Sequence, residues 1–147
     1  MIEGIQITPL REIKDERGSV MHMIRSDSAV FKKFGEVYFS TVFPNKIKAW
    51  HMHKEMTLNY VCIEGKIKFV LYDDRKDSGT KGEVQELILS PNNYFLVTVP
   101  PLIWNGFENI GEKKSILANC SSIPYRDDEI IRKHAFDKSI PYQWSNK

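Results

Sequence analysis

Short runs of β-branched and aromatic residues, each ended by a turn signal, recur along this chain and limit the fold it can adopt. Runs of this length, bounded by Gly, Pro, Asn or Asp, are typical of strands. They occupy residues 19–25, 36–43, 48–54, 57–63, 66–72, 84–89, 94–99 and 115–121. Eight or more short strands in one chain predict an all-β protein, either a closed barrel or a jelly roll.

Two local patterns refine this prediction. Glu64-Gly65 joins two strand-like runs and is typical of a tight hairpin. Residues 127–129 are acidic and precede two isoleucines and a basic pair, which suits the dipole of a short C-terminal helix. The apolar tail, residues 139–144, is expected to dock back on the barrel. Because no repeat or linker interrupts the pattern, residues 1–147 are predicted to form a single domain.

Composition excludes several classes of function. A chain of 147 residues can bury roughly 68% of its unfolded surface, so its core needs neither metal nor disulfide. The 21 basic and 19 acidic residues are scattered, unlike the basic face of a nucleic-acid binder. Residues 1–6 lack the pattern of a leader, and no apolar run is long enough for a membrane span. Cys62 and Cys120 lie in apolar runs without a C-x-x-C pair, which favours the cytoplasm.

The segment Lys48–Lys54 contains two imidazoles, His51 and His53, two residues apart. In a strand, the period of two sends both side chains to the same face, which in a barrel can be the interior. Two inward imidazoles suggest either a metal site or acid–base chemistry.

The ligand count weakens the metal hypothesis. Metal-binding cupins combine H-x-H with a Glu about four residues later and a His in a second motif, P-x-G-x-x-H. Here Thr57 follows His53 at the Glu spacing, and Asn105 stands at the position of the later His. Two imidazoles without a carboxylate bind a divalent metal weakly. We therefore expect neither a metal nor another cofactor.

The alternative is that a neutral imidazole removes a proton from a carbon next to a carbonyl, which contributes roughly 10²–10⁴-fold to the rate. Such a base works best when a carboxylate holds its other ring nitrogen. The candidate carboxylate is distant from the histidines in the sequence.

Five segments, in order and at matching spacing, carry a resemblance to a known family. They are residues 15–18 for D-x-R-G, 48–51 for R-G-L-H, 65 with 72–82 for G…D-x-R-x-S-x-T-x-G, 100–107 for P-x-G-x-x-H-G-F, and 136–144 for N-D-P…I-x-W. The chain resembles the dTDP-4-dehydrorhamnose 3,5-epimerase family, which inverts carbons of nucleotide-linked 4-keto-6-deoxy sugars without metal. The resemblance implies a cupin-type double-stranded β-helix, that is, a jelly-roll barrel.

Carried over by position, the resemblance gives several residues a role. His51 matches the catalytic base and Asp137 the carboxylate that orients it. Arg17 matches an arginine that contacts the nucleotide diphosphate, often from the neighbouring subunit. Lys48 takes the place of a pocket arginine, which keeps the charge and loses the bidentate fork. The family's usual assembly, a homodimer with exchanged amino-terminal strands, is expected here.

The chain also departs from the family. The family's proton-donating tyrosine falls near residues 123–124, which leaves Tyr125 as the nearest phenol, and its pocket lysine falls on 57–58. The remaining candidates for contact with an enolate or the sugar are His53, Asn59 and Asn105, with Trp104 as a stacking surface. Tyr38 and Phe107 are interpreted as core or pocket wall.

The sequence therefore predicts a cofactor-independent epimerase or isomerase of a nucleotide-linked 4-keto sugar, in cell-surface polysaccharide synthesis. The missing family tyrosine and lysine favour a more limited reaction than double inversion, such as one epimerisation or a keto-sugar isomerisation. Two alternatives remain open: a protein that binds a nucleotide sugar without turnover, and a metal-dependent cupin.

Overall fold

A computed structural model of the protein describes residues 1–145. The strands are β1 (Gln6–Pro9), β2 (Glu12–Asp15), β3 (Gly18–Met21), β4 (Glu36–Val42), β5 (Ile47–His53), β6 (Leu58–Glu64), β7 (Ile67–Tyr72), β8 (Val84–Leu89), β9 (Phe95–Val99), β10 (Trp104–Asn109), β11 (Ser115–Ser121) and β12 (Ile130–Arg132). One turn of 3₁₀ helix, Asp127–Glu129, precedes β12. No helix in this part of the chain is long and apolar enough to cross a membrane.

Ten of the strands form two five-stranded antiparallel sheets. The first has the order β1-β9-β6-β11-β4, and the second has the order β12-β5-β10-β7-β8. Alternate side chains of both sheets meet in one apolar core that includes Tyr60, Phe69, Phe107 and Leu117. Antiparallel sheets that face each other across such a core form a jelly roll. The all-β jelly-roll prediction is confirmed.

The C-terminal tail covers the outer face of the second sheet, as the sequence predicts. Trp50 of β5 packs against Trp144, with ring centroids 5.1 Å apart. Both indole N–H groups donate to the carbonyl oxygen of Ala135, each at 3.1 Å. Buried indoles need such a partner, so this shared carbonyl fixes the tail on the sheet.

Two local predictions are wrong. The predicted C-terminal helix is a single 3₁₀ turn followed by β12, which pairs with β5 through Ile130 and Ile131. A helix of one or two turns has little stability of its own, whereas two β-branched residues suit a strand at the open edge of β5. The predicted 64–65 hairpin does not form either. The strands β6 and β7 lie in different sheets, because β9 and β11 flank β6 while β10 and β8 flank β7.

The β2–β3 hairpin stands apart from both sheets. Among the described residues its strands pair only with each other. Its side chains Ile13 and Val20 are 46% and 59% exposed. A two-stranded hairpin with exposed apolar side chains is marginally stable alone.

Candidate active site

A cavity of about 440 Å³ opens between the two sheets. Glu36, Tyr38 and Ser40 of β4 form one wall. Lys48, His51 and His53 of β5 form the facing wall. The size suits a sugar and part of its attached group. Both predicted histidines therefore face the interior from one side, as the strand period requires.

His51 is held neutral. Burial, together with the nearby His53 and Arg132, lowers the pKa of its imidazole to about 3, although the interaction with Asn105 opposes the shift. Arg132 lies opposite His51 in the β12–β5 register. Because a neutral imidazole has a free lone pair, His51 is in the state that a general base requires.

His53 is paired with a carboxylate that the sequence analysis missed. Its Nδ1 is hydrogen-bonded to Glu129, and both side chains are buried. The other Glu129 oxygen accepts the backbone N–H groups of Glu55 and Met56 at 3.1 and 3.2 Å. Burial raises the pKa of Glu129, but the bonds from His53 and these amides outweigh it and hold the pKa below its usual value. Glu129 is ionised, and it holds the ring of His53 through Nδ1 in the cavity wall.

The predicted pair of His51 with Asp137 does not form. The Asp137 carboxylate accepts the backbone N–H and the hydroxyl of Ser139 at 2.8 and 2.5 Å, and these bonds lower its pKa. It lines a different depression, formed by the tail. Asp137 caps a turn, while the carboxylate–imidazole pair of this cavity is Glu129 with His53.

Asn105 lies behind His51 on β10, completely buried. Its amide nitrogen donates to the carbonyl oxygens of His51 and Ile103, at 3.2 and 3.3 Å. Two carbonyl acceptors fix which end of the amide is nitrogen. The amide oxygen is buried and has no hydrogen-bond partner among the described residues. The interaction of this uncharged side chain with His51 raises the pKa of the imidazole.

Tyr38 stands across the cavity from the imidazoles, on the first sheet. Its hydroxyl oxygen accepts a hydrogen bond of 2.9 Å from the Asn119 amide and lies 3.4 Å from the Tyr60 hydroxyl. Phe107 joins the two walls, with its ring centroid 6.4 Å from that of His51 and 6.2 Å from that of Tyr60. The interpretation of Tyr38 and Phe107 as pocket wall and core is confirmed.

The cationic residues and Tyr125 lie nearer the opening. The Lys48 ammonium donates to the Ser40 hydroxyl at 3.1 Å, and Arg132 is exposed. Together they place positive charge on the β5–β12 side. Tyr125 lines the same cavity, but its hydroxyl donates to Asp127 at 2.5 Å.

Besides Asn105, three predicted contacts do not line the cavity. Asn59 is buried in the sheet, where it accepts a bond from Thr98 and donates to the Cys120 carbonyl. Trp104 is buried on the outer face, with the Lys133 ammonium 4.7 Å from its ring centroid. Arg17 sits at the tip of the β2–β3 hairpin, bound to Asp15.

Across residues 1–145, no three His, Cys, Asp or Glu side chains come together in a way that could hold a metal ion.

Comparison with known proteins assigns the family. The sequence matches the family described as "FdtA: WxcM-like, C-terminal" over residues 3–140. The chain belongs to this family. It is 33% identical over 120 residues to the probable low-salt glycan biosynthesis epimerase Agl13 of Haloferax volcanii, covering 80% of this chain and 77% of that protein.

Two further relatives cover nearly the whole chain. The spore coat polysaccharide biosynthesis protein SpsL of Bacillus subtilis is 28% identical over 149 residues, covering 100% of this chain and 99% of that protein. A crystal structure of a dTDP sugar isomerase from Desulfovibrio desulfuricans G20 superposes with a TM-score of 0.96 at 41% identity, covering 99% and 94% of the two chains. The resemblance to sugar-nucleotide epimerases and isomerases drawn from the sequence is confirmed.

Proposed function

We propose that this chain is an epimerase or isomerase of a nucleotide-linked 4-keto sugar that serves polysaccharide or glycan synthesis. The observation that carries the proposal is the neutral His51 in a sugar-sized cavity, next to the hydrogen-bonded pair of His53 and Glu129. The printed functions of the relatives, which are epimerisation, sugar isomerisation and polysaccharide synthesis, support the same class of reaction.

The first step is removal of a proton from the carbon next to the ketone. The C–H bond breaks, His51 takes the proton, and the electron pair moves to the keto oxygen to form an enolate. His53, protonated on Nδ1 toward Glu129, faces the cavity with its second nitrogen. Its ring lies in the cavity wall, where it can contact the enolate oxygen. Asp137, the base partner expected from the sequence, has no part in this scheme.

Two cationic side chains of the cavity suit the nucleotide diphosphate part of the substrate. Lys48 and Arg132 lie on the same side of the cavity as His51. A nucleotide diphosphate carries two negative charges, which two such cations can neutralise. An anion bound there would also offset the effect of Arg132 on His51, making the imidazole a stronger base once substrate is present.

We infer that two copies form the working unit in a reducing, cytoplasmic compartment. The strand β4 is at the edge of its sheet, and its outward residues Val37 and Phe39 are 50% and 64% exposed. An unpaired edge strand with exposed apolar side chains can pair with a strand of another chain. The separate β2–β3 hairpin of a second copy would suit this edge and would bring Arg17 toward the cavity. Both cysteines are buried and free, which fits the compartment.

The test is solvent deuterium exchange, followed by NMR, with a panel of dTDP-linked 4-keto sugars. Wild-type protein is expected to replace a carbon-bound hydrogen next to the ketone, and His51→Asn is expected to slow this exchange by roughly 10²-fold or more. His134→Asn, at an exposed histidine outside the cavity, serves as the matched control.

Two outcomes would contradict the proposal: no exchange by the wild type with any member of the panel, or equal exchange by His51→Asn. Tight binding of a nucleotide sugar without exchange, measured by calorimetry, would assign the cavity to a binding protein instead.

A further inference from the structure

The Tyr38 hydroxyl has a set of hydrogen bonds that a residue of the cavity wall does not need. The Asn119 amide oxygen accepts the backbone N–H of Asn59 at 3.0 Å, which fixes the amide nitrogen as the end that donates to Tyr38. Asn119 is completely buried, so this orientation is locked. The Tyr38 oxygen therefore receives one hydrogen bond from a rigid donor.

A second donor reaches the same oxygen. Burial, with Tyr38 close by, raises the pKa of Tyr60 well above its usual value, so Tyr60 remains protonated. Its hydroxyl is 3.4 Å from that of Tyr38, which is the partner that the described residues offer it. A buried hydroxyl proton needs an acceptor, so Tyr60 donates to Tyr38.

With its oxygen receiving two hydrogen bonds, Tyr38 has its own proton left over. The side chain lines the cavity and is 37% exposed, so that proton points to the space where substrate binds. Two fixed donors also stabilise the phenolate that remains after the proton is given away. Tyr125 lacks this arrangement, because its proton is already bound to Asp127.

We propose that Tyr38 is the catalytic acid that returns a proton to the substrate carbon from the side opposite His51. This inference rests on the proposed function and specifies its second half. After His51 has taken the proton, the enolate double bond re-forms the ketone, the Tyr38 O–H bond breaks, and a new C–H bond forms on the other face. His51 then loses its proton to solvent and the Tyr38 phenolate regains one, so the reaction is balanced without any oxidant or reductant.

The proposal favours inversion of one carbon over other outcomes. The base and the acid lie on strands of facing sheets, β5 and β4. A planar enolate held between them loses a proton on one face and gains one on the other, which inverts that carbon. The acid expected from the family near residues 123–124 is thus replaced by a phenol from a different strand.

The experiment follows the Tyr38→Phe variant in deuterated water, which separates proton removal from proton return. We expect the α hydrogen of recovered substrate still to exchange at a rate within about threefold of wild type, because His51 can remove and return a proton on its own face. Formation of the inverted product is expected to fall by roughly 10²-fold or more. Tyr94→Phe is the matched control, since its hydroxyl donates to the His22 carbonyl away from the cavity.

The outcomes are distinguishable. Retained exchange with lost product supports the proposal and shows at the same time that the variant is folded. Unchanged product formation overturns it, as does loss of both exchange and product. Loss of product in Tyr125→Phe but not in Tyr38→Phe would transfer the role to Tyr125. Absence of exchange in the wild type would instead contradict the proposed function itself.

Discussion

The two imidazoles of β5 have opposite surroundings although they are two residues apart. His53 has the ionised Glu129 as its partner, whereas His51 has the uncharged Asn105 behind it and the cationic Arg132 beside it. A carboxylate next to His51 would favour the imidazolium form. Burial, with Arg132 beside it and the carboxylate bound to the other histidine, keeps the His51 ring neutral.

The pKa of His51 makes stability depend on pH. The group has a pKa of 6.5 when unfolded and about 3 when folded. Between these values the unfolded chain binds one proton more, so the free energy of unfolding rises with pH. The contribution is complete above pH 6.5 and is lost as the pH falls toward 3.

We predict that His51→Gln reduces the pH dependence of stability. Between pH 7.5 and 5.0 the wild type is expected to lose about 1–2 kcal/mol more than this variant. Urea unfolding at the two pH values measures the difference. His134→Gln, at an exposed ring, should lose as much as the wild type, and parallel behaviour of His51→Gln and the wild type would contradict the prediction.

At the scale of elements, Glu129 connects three parts of the chain. It lies at the end of the 3₁₀ turn before β12, binds His53 at the end of β5, and accepts the N–H groups of the connection to β6. These contacts satisfy backbone donors that would otherwise be buried without partners. Glu129 therefore determines where β12 joins the sheet and how His53 is oriented.

We predict that Glu129→Gln lowers the free energy of unfolding by about 3 kcal/mol, because it removes one charge of a buried pair and turns an amide donor toward other donors. Urea unfolding at pH 7.5 measures the loss. Glu55→Gln is the matched control, because its pair with Arg126 is exposed, and it should cost less than about 1 kcal/mol. Equal losses in the two variants would show that the buried pair has no special role.

Periodicity predicted the strands and the common face of His51 and His53, because that information is local. It could not predict Glu129, which lies 76 residues from His53 in sequence. It also could not select Tyr38, because β4 has its apolar residues Val37 and Phe39 outward and its polar residues inward, which reverses the usual core-facing pattern. The Asp73 motif in the family resemblance is structural: its carboxylate accepts bonds from Arg75, Ser78 and Thr80 in the loop between β7 and β8.

At the scale of the whole molecule, Arg17 is the residue whose position one chain alone leaves unexplained. In the described chain it binds Asp15 at the tip of the separate hairpin and is 82% exposed. If the hairpin lies on the β4 edge of a second copy, Arg17 reaches that copy's cavity. Each active site would then combine His51 of one subunit with Arg17 of the other.

This arrangement predicts complementation between two inactive variants. We expect Arg17→Ala and His51→Asn each to have low activity alone, while their co-expressed mixture recovers about a quarter of wild-type activity. Half of randomly assembled dimers are mixed, and each mixed dimer has one site with both native residues. Product formation by the purified mixture, with its mass from sedimentation, measures this.

The matched control is the mixture of His51→Asn with His53→Asn. Both residues belong to the cavity wall of one subunit, so this mixture should restore nothing, because every site then carries one of the two changes. A fully active monomer, or a mixture no more active than its components, would place Arg17 outside the partner's site.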